Sequence, residues 1–192
     1  MLSKTFWKKI LRDHSENQKG RSMIIGQSNL ALNSAKKCIF ALHRDNLKDA
    51  QAKIDESKQV LTGLEKKFGS NSKFRCEGSW KAAAEEFVEA ALYFDYRKSG
   101  NVNEIKGIKL EFDEYIGGLA DFSGELVRWA VLLVNKGNYS KIYEIQNTVS
   151  EVIQVLLDAN LTSYLRQKFD QAKKNQQRIE QMIYDLKIRE LI

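Results

Sequence analysis

Apolar residues recur every three to four positions along nearly the whole chain, and no proline interrupts them anywhere in its 192 residues. No other feature constrains the fold as strongly. Such spacing lays apolar side chains along one face of an α-helix, whereas a half-buried strand alternates. Proline removes a backbone donor and clashes with the preceding turn, so its absence lets long helices run unbroken. It also argues against a turn-rich β-sandwich or a disordered linker. The expectation is an all-α fold, one domain over residues 1–192, built as a bundle of six to seven helices.

The stretches that carry this period can be placed. A first helix is expected from about Lys4 to Arg44, with Gly20 and Gly26 as weak points. Asn46 is positioned to cap a second, with Asp49 in its first turn, running to about Lys67. Residues 68–78 read as a loop by composition, and Ser79 is expected to cap a third helix from Trp80 to about Lys98. A polar connector follows, with room for one helical turn around Val102 to Lys106. Asp113 is expected to cap a fourth helix ending at Gly137, a residue suited to the left-handed C-terminal position. A fifth is expected from Asn138 to about Leu157. The sixth spans Thr162 to Ile188, with Tyr164, Phe169, Ile179, Met182, Ile183 and Leu186 facing inward. No internal repeat appears.

Charge and cysteine content narrow the function. The 31 Lys and Arg outnumber 25 Asp and Glu, giving +6, and the pI is near 9.2. A basic surplus favours a polyanionic partner such as nucleic acid, because neutralised phosphates release counterions. Cys38 and Cys76 make neither a disulfide framework nor a thiolate metal site, and read as reduced structural residues of a cytoplasmic protein. The first ten residues are too interrupted by charge for a signal peptide. No uncharged apolar run approaches the ~20 residues a membrane helix needs, so no membrane partner is expected.

Four acidic residues stand out. Glu86 and Glu89 lie three apart, about 60° around a helix and one turn along it, off the edge of the stripe Trp80, Ala83, Ala84, Phe87, Ala91 and Phe94. Tyr93 extends their row. Asp121 and Glu125 lie four apart beside the stripe Tyr115, Leu119, Phe122, Leu126, Trp129 and Leu133, with Gly117, Gly118 and Gly124 crowding the same side. Each helical glycine costs about 1 kcal/mol relative to alanine, and close approach of another backbone or a ligand is the usual compensation. Neighbours one helical turn away offer no cation to Glu86, Glu89 or Asp121; only Glu125 has one, Arg128. Acids so arranged repel. Either lysines distant in sequence neutralise them or a hard divalent ion such as Mg2+ or Mn2+ does, since both ions prefer oxygen ligands.

Other chemistries lack their residues. His14 and His43 sit in no Glu-x-x-His motif, so a di-iron bundle is excluded. Zinc clusters, the phosphate-cradling Gly-x-x-x-x-Gly-Lys and the dinucleotide fingerprint are missing, so no nucleotide cofactor is expected. Metal-assisted hydrolysis is the reaction class these residues serve best. Lys36, Lys37, His43 and Arg44 form the clearest basic cluster, readable as phosphate contacts or as a solvated helix face. The run from Lys168 to Arg178 reads as surface or subunit interface. Trp7 falls on no packing stripe.

These residues also carry a resemblance. Asp113-Glu-Tyr-Ile-Gly-Gly-Leu-Ala-Asp-Phe-Ser-Gly-Glu-Leu-Val-Arg resembles the central helix of the translin superfamily. Gly137-Asn-Tyr-Ser and Tyr184-Asp-Leu-Lys-Ile-Arg are similar to its following turn and C-terminal signature, and residues 34–44 to the end of its first long helix. Glu86-Phe-Val-Glu-Ala resembles the Glu-Tyr-Val-Glu-Ala of the translin-associated protein X (TRAX) branch. Asp121-Phe-Ser-Gly-Glu resembles that branch's Asp-Leu-Thr-Gly-Glu. The short connector after Gly100 and the stop soon after Arg189 look like archaeal TRAX-like proteins, which work without a separate translin partner.

The resemblance implies an Mg2+- or Mn2+-dependent endoribonuclease acting on single-stranded or short duplex RNA inside a closed homo-octameric shell. Glu86, Glu89, Asp121 and Glu125 would be its catalytic and metal-binding residues, and Lys36, Lys37, His43 and Arg44 its RNA contacts. A translin-like RNA- or DNA-binding shell without catalysis is the alternative.

Overall fold

Six α-helices and one 3-10 turn carry the fold of this computed structural model, which describes residues 3–69 and 73–192. The helices are α1 (Lys4–His43), α2 (Leu47–Phe68), α3 (Gly78–Ser99), α4 (Phe112–Asn135), α5 (Ile142–Asp158) and α6 (Ser163–Ile188), with the turn at Lys73–Cys76. The architecture is all-α, with no strand among the described residues.

Local chemistry explains the ends. The Asn46 side chain accepts from the Asp49 N–H at 3.1 Å and starts α2, as its sequence position suggests. Helix α4 begins one residue before Asp113. The Glu111 N–H donates to Glu114 Oε2 at 2.9 Å, so Glu114 rather than Asp113 secures that end. At the other end Gly137 takes φ +69°, the left-handed conformation that costs glycine little.

Four further expectations need correction. Helix α1 passes through Gly20 and Gly26 unbroken; at Gly20 the Phe74 ring packs where a side chain would stand. Helix α3 starts at Gly78, with Glu77 rather than Ser79 at its cap position. The connector forms no helical turn at 102–106. Instead, the Asp95 carboxylate accepts from the Asn103 backbone and side chain, both at 2.8 Å. Helix α5 starts at Ile142 because Asn138 turns its side chain onto Ser140, at 2.8 Å from the hydroxyl.

Helix α1 doubles back onto α2, both pack on α3, and α3 packs on α4; α5 and α6 close the bundle against α4. One continuous apolar core results, including the fully buried Leu42, Leu61, Phe87, Phe122, Leu126, Ile145 and Ile179. The Cys38 thiol lies in it, pushed up to about 12 by burial, which makes it an inert core residue. The first buried residue of α1 is Ile24, so nearly half of this helix projects from the bundle. Trp7 and Phe6 sit edge to face there, both exposed. No helix among the described residues is long and apolar enough to cross a membrane.

Candidate functional site

Where α3 crosses α4, the two helices come close because Gly118 has no side chain. A Cβ there would lie 2.6 Å from the Glu85 carbonyl oxygen of α3 and 2.6 Å from Val88. Gly117, one residue earlier, leaves room for the Glu85 carboxylate itself. This close approach turns the acidic rows of the two helices toward each other.

The four acids singled out in the sequence converge. Glu86, Asp121 and Glu125 each act on Glu89 electrostatically, and Asp121 and Glu125 act on Glu86. Glu89 is only 9% exposed, and no cation among the described residues pairs with it. Burial foremost, then the neighbouring charges of Asp121, Glu86 and Glu125, pushes its carboxyl up to about 9. Burial likewise raises Glu86, against the pull of Lys36 at 3.9 Å. The crowding that sequence spacing implied is present, and a buried, repelled carboxyl takes up a proton in response.

The other two acids have partners from distant helices. Lys168 of α6 hydrogen-bonds Asp121 and sits 2.7 Å from Glu85; the Tyr164 hydroxyl donates to the same Glu85 oxygen at 2.7 Å. Burial still raises Asp121, because Glu85 and Glu125 face it as well as Lys168. Burial pulls the Lys168 ammonium down, but its bonds to Asp121, Glu85 and Tyr164 outweigh that and hold it above the usual lysine range. Glu125 bonds His43 Nε2 of α1 and has Arg128 at 3.8 Å. The other His43 nitrogen faces the Tyr93 hydroxyl at 3.3 Å. Arg97 continues the chain, donating to Tyr93 at 3.1 Å and Asp45 at 2.6 Å while stacking 4.3 Å over Trp129.

Three readings from the sequence change. The side chain of His43 is 6% exposed, so the structure does not gather Lys36, Lys37, His43 and Arg44 on one face. Lys36 leans toward Glu86, Lys37 acts on Glu56, and Arg44 lies 3.7 Å from Asp49. Lys168, read as surface or subunit interface, belongs to the acidic cluster, and Tyr164 turns to Glu85 instead of the core. Glu85 and Lys168 were the members that sequence reasoning missed. A search for cations one turn away cannot find a partner supplied by another helix; the i, i+4 pairing of Tyr164 with Lys168 was the available signal.

The cluster offers only hard oxygen donors, the kind that Mg2+ and Mn2+ favour over softer metals. As the side chains stand, Asp121 is turned to Lys168 and Glu125 to His43. Among the described residues, no three His, Cys, Asp or Glu side chains are grouped to hold a metal ion. The donor chemistry fits a divalent cation, while Asp121 and Glu125 must turn from Lys168 and His43 to receive one.

Comparison with known proteins decides the lineage. Residues 20–190 match the Translin family. The chain belongs to the translin family. It is 29% identical to translin of Bos taurus over 147 residues, 69% of this chain and 64% of that protein. It is 28% identical to translin of Homo sapiens over the same shares of each. The chain thus spans 64% of the length of these curated translins. Its fold is that of three solved structures. An apo-NeC3PO aligns with TM-score 0.85 at 18% identity, covering 96% of this chain and 97% of that one. AfC3PO aligns with TM-score 0.84 at 18% identity, covering 97% and 99%. AfC3PO in complex with duplex RNA aligns with TM-score 0.83 at 17% identity, covering 96% and 98%.

Proposed function

We propose that this translin-family chain is an RNA-binding, metal-dependent endoribonuclease of the TRAX branch, working as a closed homo-oligomer, an octamer by family resemblance. The observation that carries the reading is Glu89: a buried carboxyl that no cation pairs with among the described residues, on which the charges of Asp121, Glu86 and Glu125 act against the more distant Lys168. An arrangement that costs stability persists where function requires it. The duplex RNA bound by a protein of this fold and the basic balance of the chain favour RNA as partner.

In this reading Glu86, Glu89 and Asp121 hold Mg2+ or Mn2+, and Glu125 is a fourth ligand or orients the attacking water. A bound divalent ion supplies an acidified water and neutralises charge on the scissile phosphate. His43 fixes the rotamer of Glu125 instead of touching phosphate. Lys36 and Arg128, both half exposed beside the acids, receive the RNA backbone; Lys37 and Arg44 extend that basic edge.

The alternative is a translin-like shell that binds RNA or DNA without cutting. It is favoured by the ammonium already on Asp121 and the imidazole on Glu125. The test is incubation of purified protein with end-labelled single-stranded and duplex RNA, with Mn2+, Mg2+ or chelator. Metal-dependent internal cleavage is expected, and Glu89→Gln, which preserves shape, is expected to abolish it without loss of helicity or assembly. Binding without cleavage in every metal, or cutting that Glu89→Gln leaves intact, would overturn the enzymatic assignment. Native mass spectrometry measures the copy number.

A further inference from the structure

Lys168 occupies a position built for it. Its ammonium contacts Asp121 and lies 2.7 Å from Glu85, and the Tyr164 ring is 5.3 Å away. The Tyr164 hydroxyl donates to the same Glu85 oxygen at 2.7 Å. Gly117 supplies the space: an added Cβ would stand 2.6 Å from Glu85 Cδ. Helix α6 is held against α4 just beyond, where Asn175 donates to Ser123 at 3.0 Å. Only 19% of the lysine side chain is exposed. An ammonium so placed is no wandering surface charge, because a buried lysine is retained only with its charge met by neighbours.

We infer that Lys168 is the resident counter-cation of the acidic cluster, and that a divalent ion is taken up by exchange, Asp121 releasing the ammonium while Glu85 keeps it. The inference rests on the reading of Glu86, Glu89, Asp121 and Glu125 as a metal centre. Asp121 cannot offer the same oxygen to both cations, and two positive charges in one poorly solvated pocket repel. Glu85 is the member of the cluster that lets both stay. Its carboxylate is engaged by both the Lys168 ammonium and the Tyr164 hydroxyl, each at 2.7 Å, so it can keep the lysine when Asp121 turns to a metal. Lys168 is therefore a positioning residue: it occupies the Asp121 carboxylate when no metal is present, and sets how strongly a metal must bind to displace it.

Equilibrium dialysis of Mn2+ against the full-length protein tests this without any cleavage assay. Removing the ammonium in Lys168→Met frees Asp121, and binding should tighten about tenfold, a modest share of the repulsion between close charges at a half-screened site. Lys168→Arg keeps the charge and should stay near wild type. Unchanged or weaker Mn2+ binding in Lys168→Met, with the wild type binding, overturns the exchange and leaves the metal centre standing. No binding by either protein overturns the metal centre and, with it, the exchange. Should Lys168→Met not fold, 15N-detected NMR of the wild-type lysine ammoniums gives the same answer. A slowly exchanging Lys168 signal should shift and lose its coupling to Asp121 as Mg2+ is added, and persistence of that coupling at saturating Mg2+ overturns the inference.

Discussion

His43 of α1 and Glu125 of α4, 82 positions apart, share a hydrogen bond at the wall of the acidic cluster. Tyr93 holds the opposite ring nitrogen, so the imidazole is clamped and in turn aims the carboxylate. Residues that orient a functional carboxylate this way commonly cost about 10–100-fold in affinity or activity when lost. His43→Phe should lower kcat by that order and leave KM for RNA nearly unchanged, since the ring is too buried to meet phosphate. Steady-state kinetics separates the two parameters; a rise in KM alone would return His43 to the RNA-contact set.

The protonated state of Glu89 ties stability to pH. Its carboxyl sits at about 9 in the folded protein against an ordinary 4.5, so between those values the folded state binds a proton that the unfolded state has lost. Stability then falls as pH rises, being fully present below about 4.5 and lost through about 9. In chelator, the thermal midpoint of the wild type should drop between pH 6 and 9 more steeply than that of Glu89→Gln. Parallel curves would show that Glu89 is already ionised at neutral pH.

Gly118 is where the α3–α4 contact has no slack. Alanine there meets the Glu85 backbone oxygen, which cannot turn aside, so Gly118→Ala should destabilise by about 1–3 kcal/mol, the usual cost of overpacking. Gly117→Ala meets the end of the Glu85 side chain, which can swing away. It should cost less in urea denaturation and instead loosen Glu85 from Lys168. Equal losses for the two variants would contradict this distinction.

Arg75 and Glu114 form a bidentate pair, both bonds 2.5 Å, closed off from solvent beneath Trp80. Removing one partner strands the other charge, so Arg75→Ala should cost about 3–5 kcal/mol. Glu114→Ala added to it should cost much less than the sum, because the stranded carboxylate is gone. Chemical denaturation of the two single variants and the double closes the cycle.

The helices are legible in the sequence because their signals are local: Asn46 caps α2 through a residue three positions on, and Gly137 stops α4 by its own backbone conformation. The acid rows are legible for the same reason, since i, i+3 and i, i+4 spacing fixes a shared face. What answers them is not local. Lys168 reaches Asp121 across 47 positions and His43 reaches Glu125 across 82, and no periodicity within one helix encodes which helix will pack against it. Composition likewise cannot separate Lys168, which points inward, from Lys174, which faces solvent. Tyr164 shows the converse error: its place beside Lys168 on α6 looks apolar on a wheel, yet its hydroxyl finds a carboxylate.

The overhang of α1 leaves one unbroken rod of backbone with two different stabilities. Among the described residues, its ties to the rest of the fold begin at Asn17 with Lys73, at Gly20 with Phe74 and at Arg21 with Glu77, while burial begins at Ile24. Short helices without tertiary support are marginal in water, so amide protons ahead of Asn17 should exchange with solvent almost freely. Those around Ala35 and Leu42, fully buried in the same helix, should exchange only when the whole bundle opens.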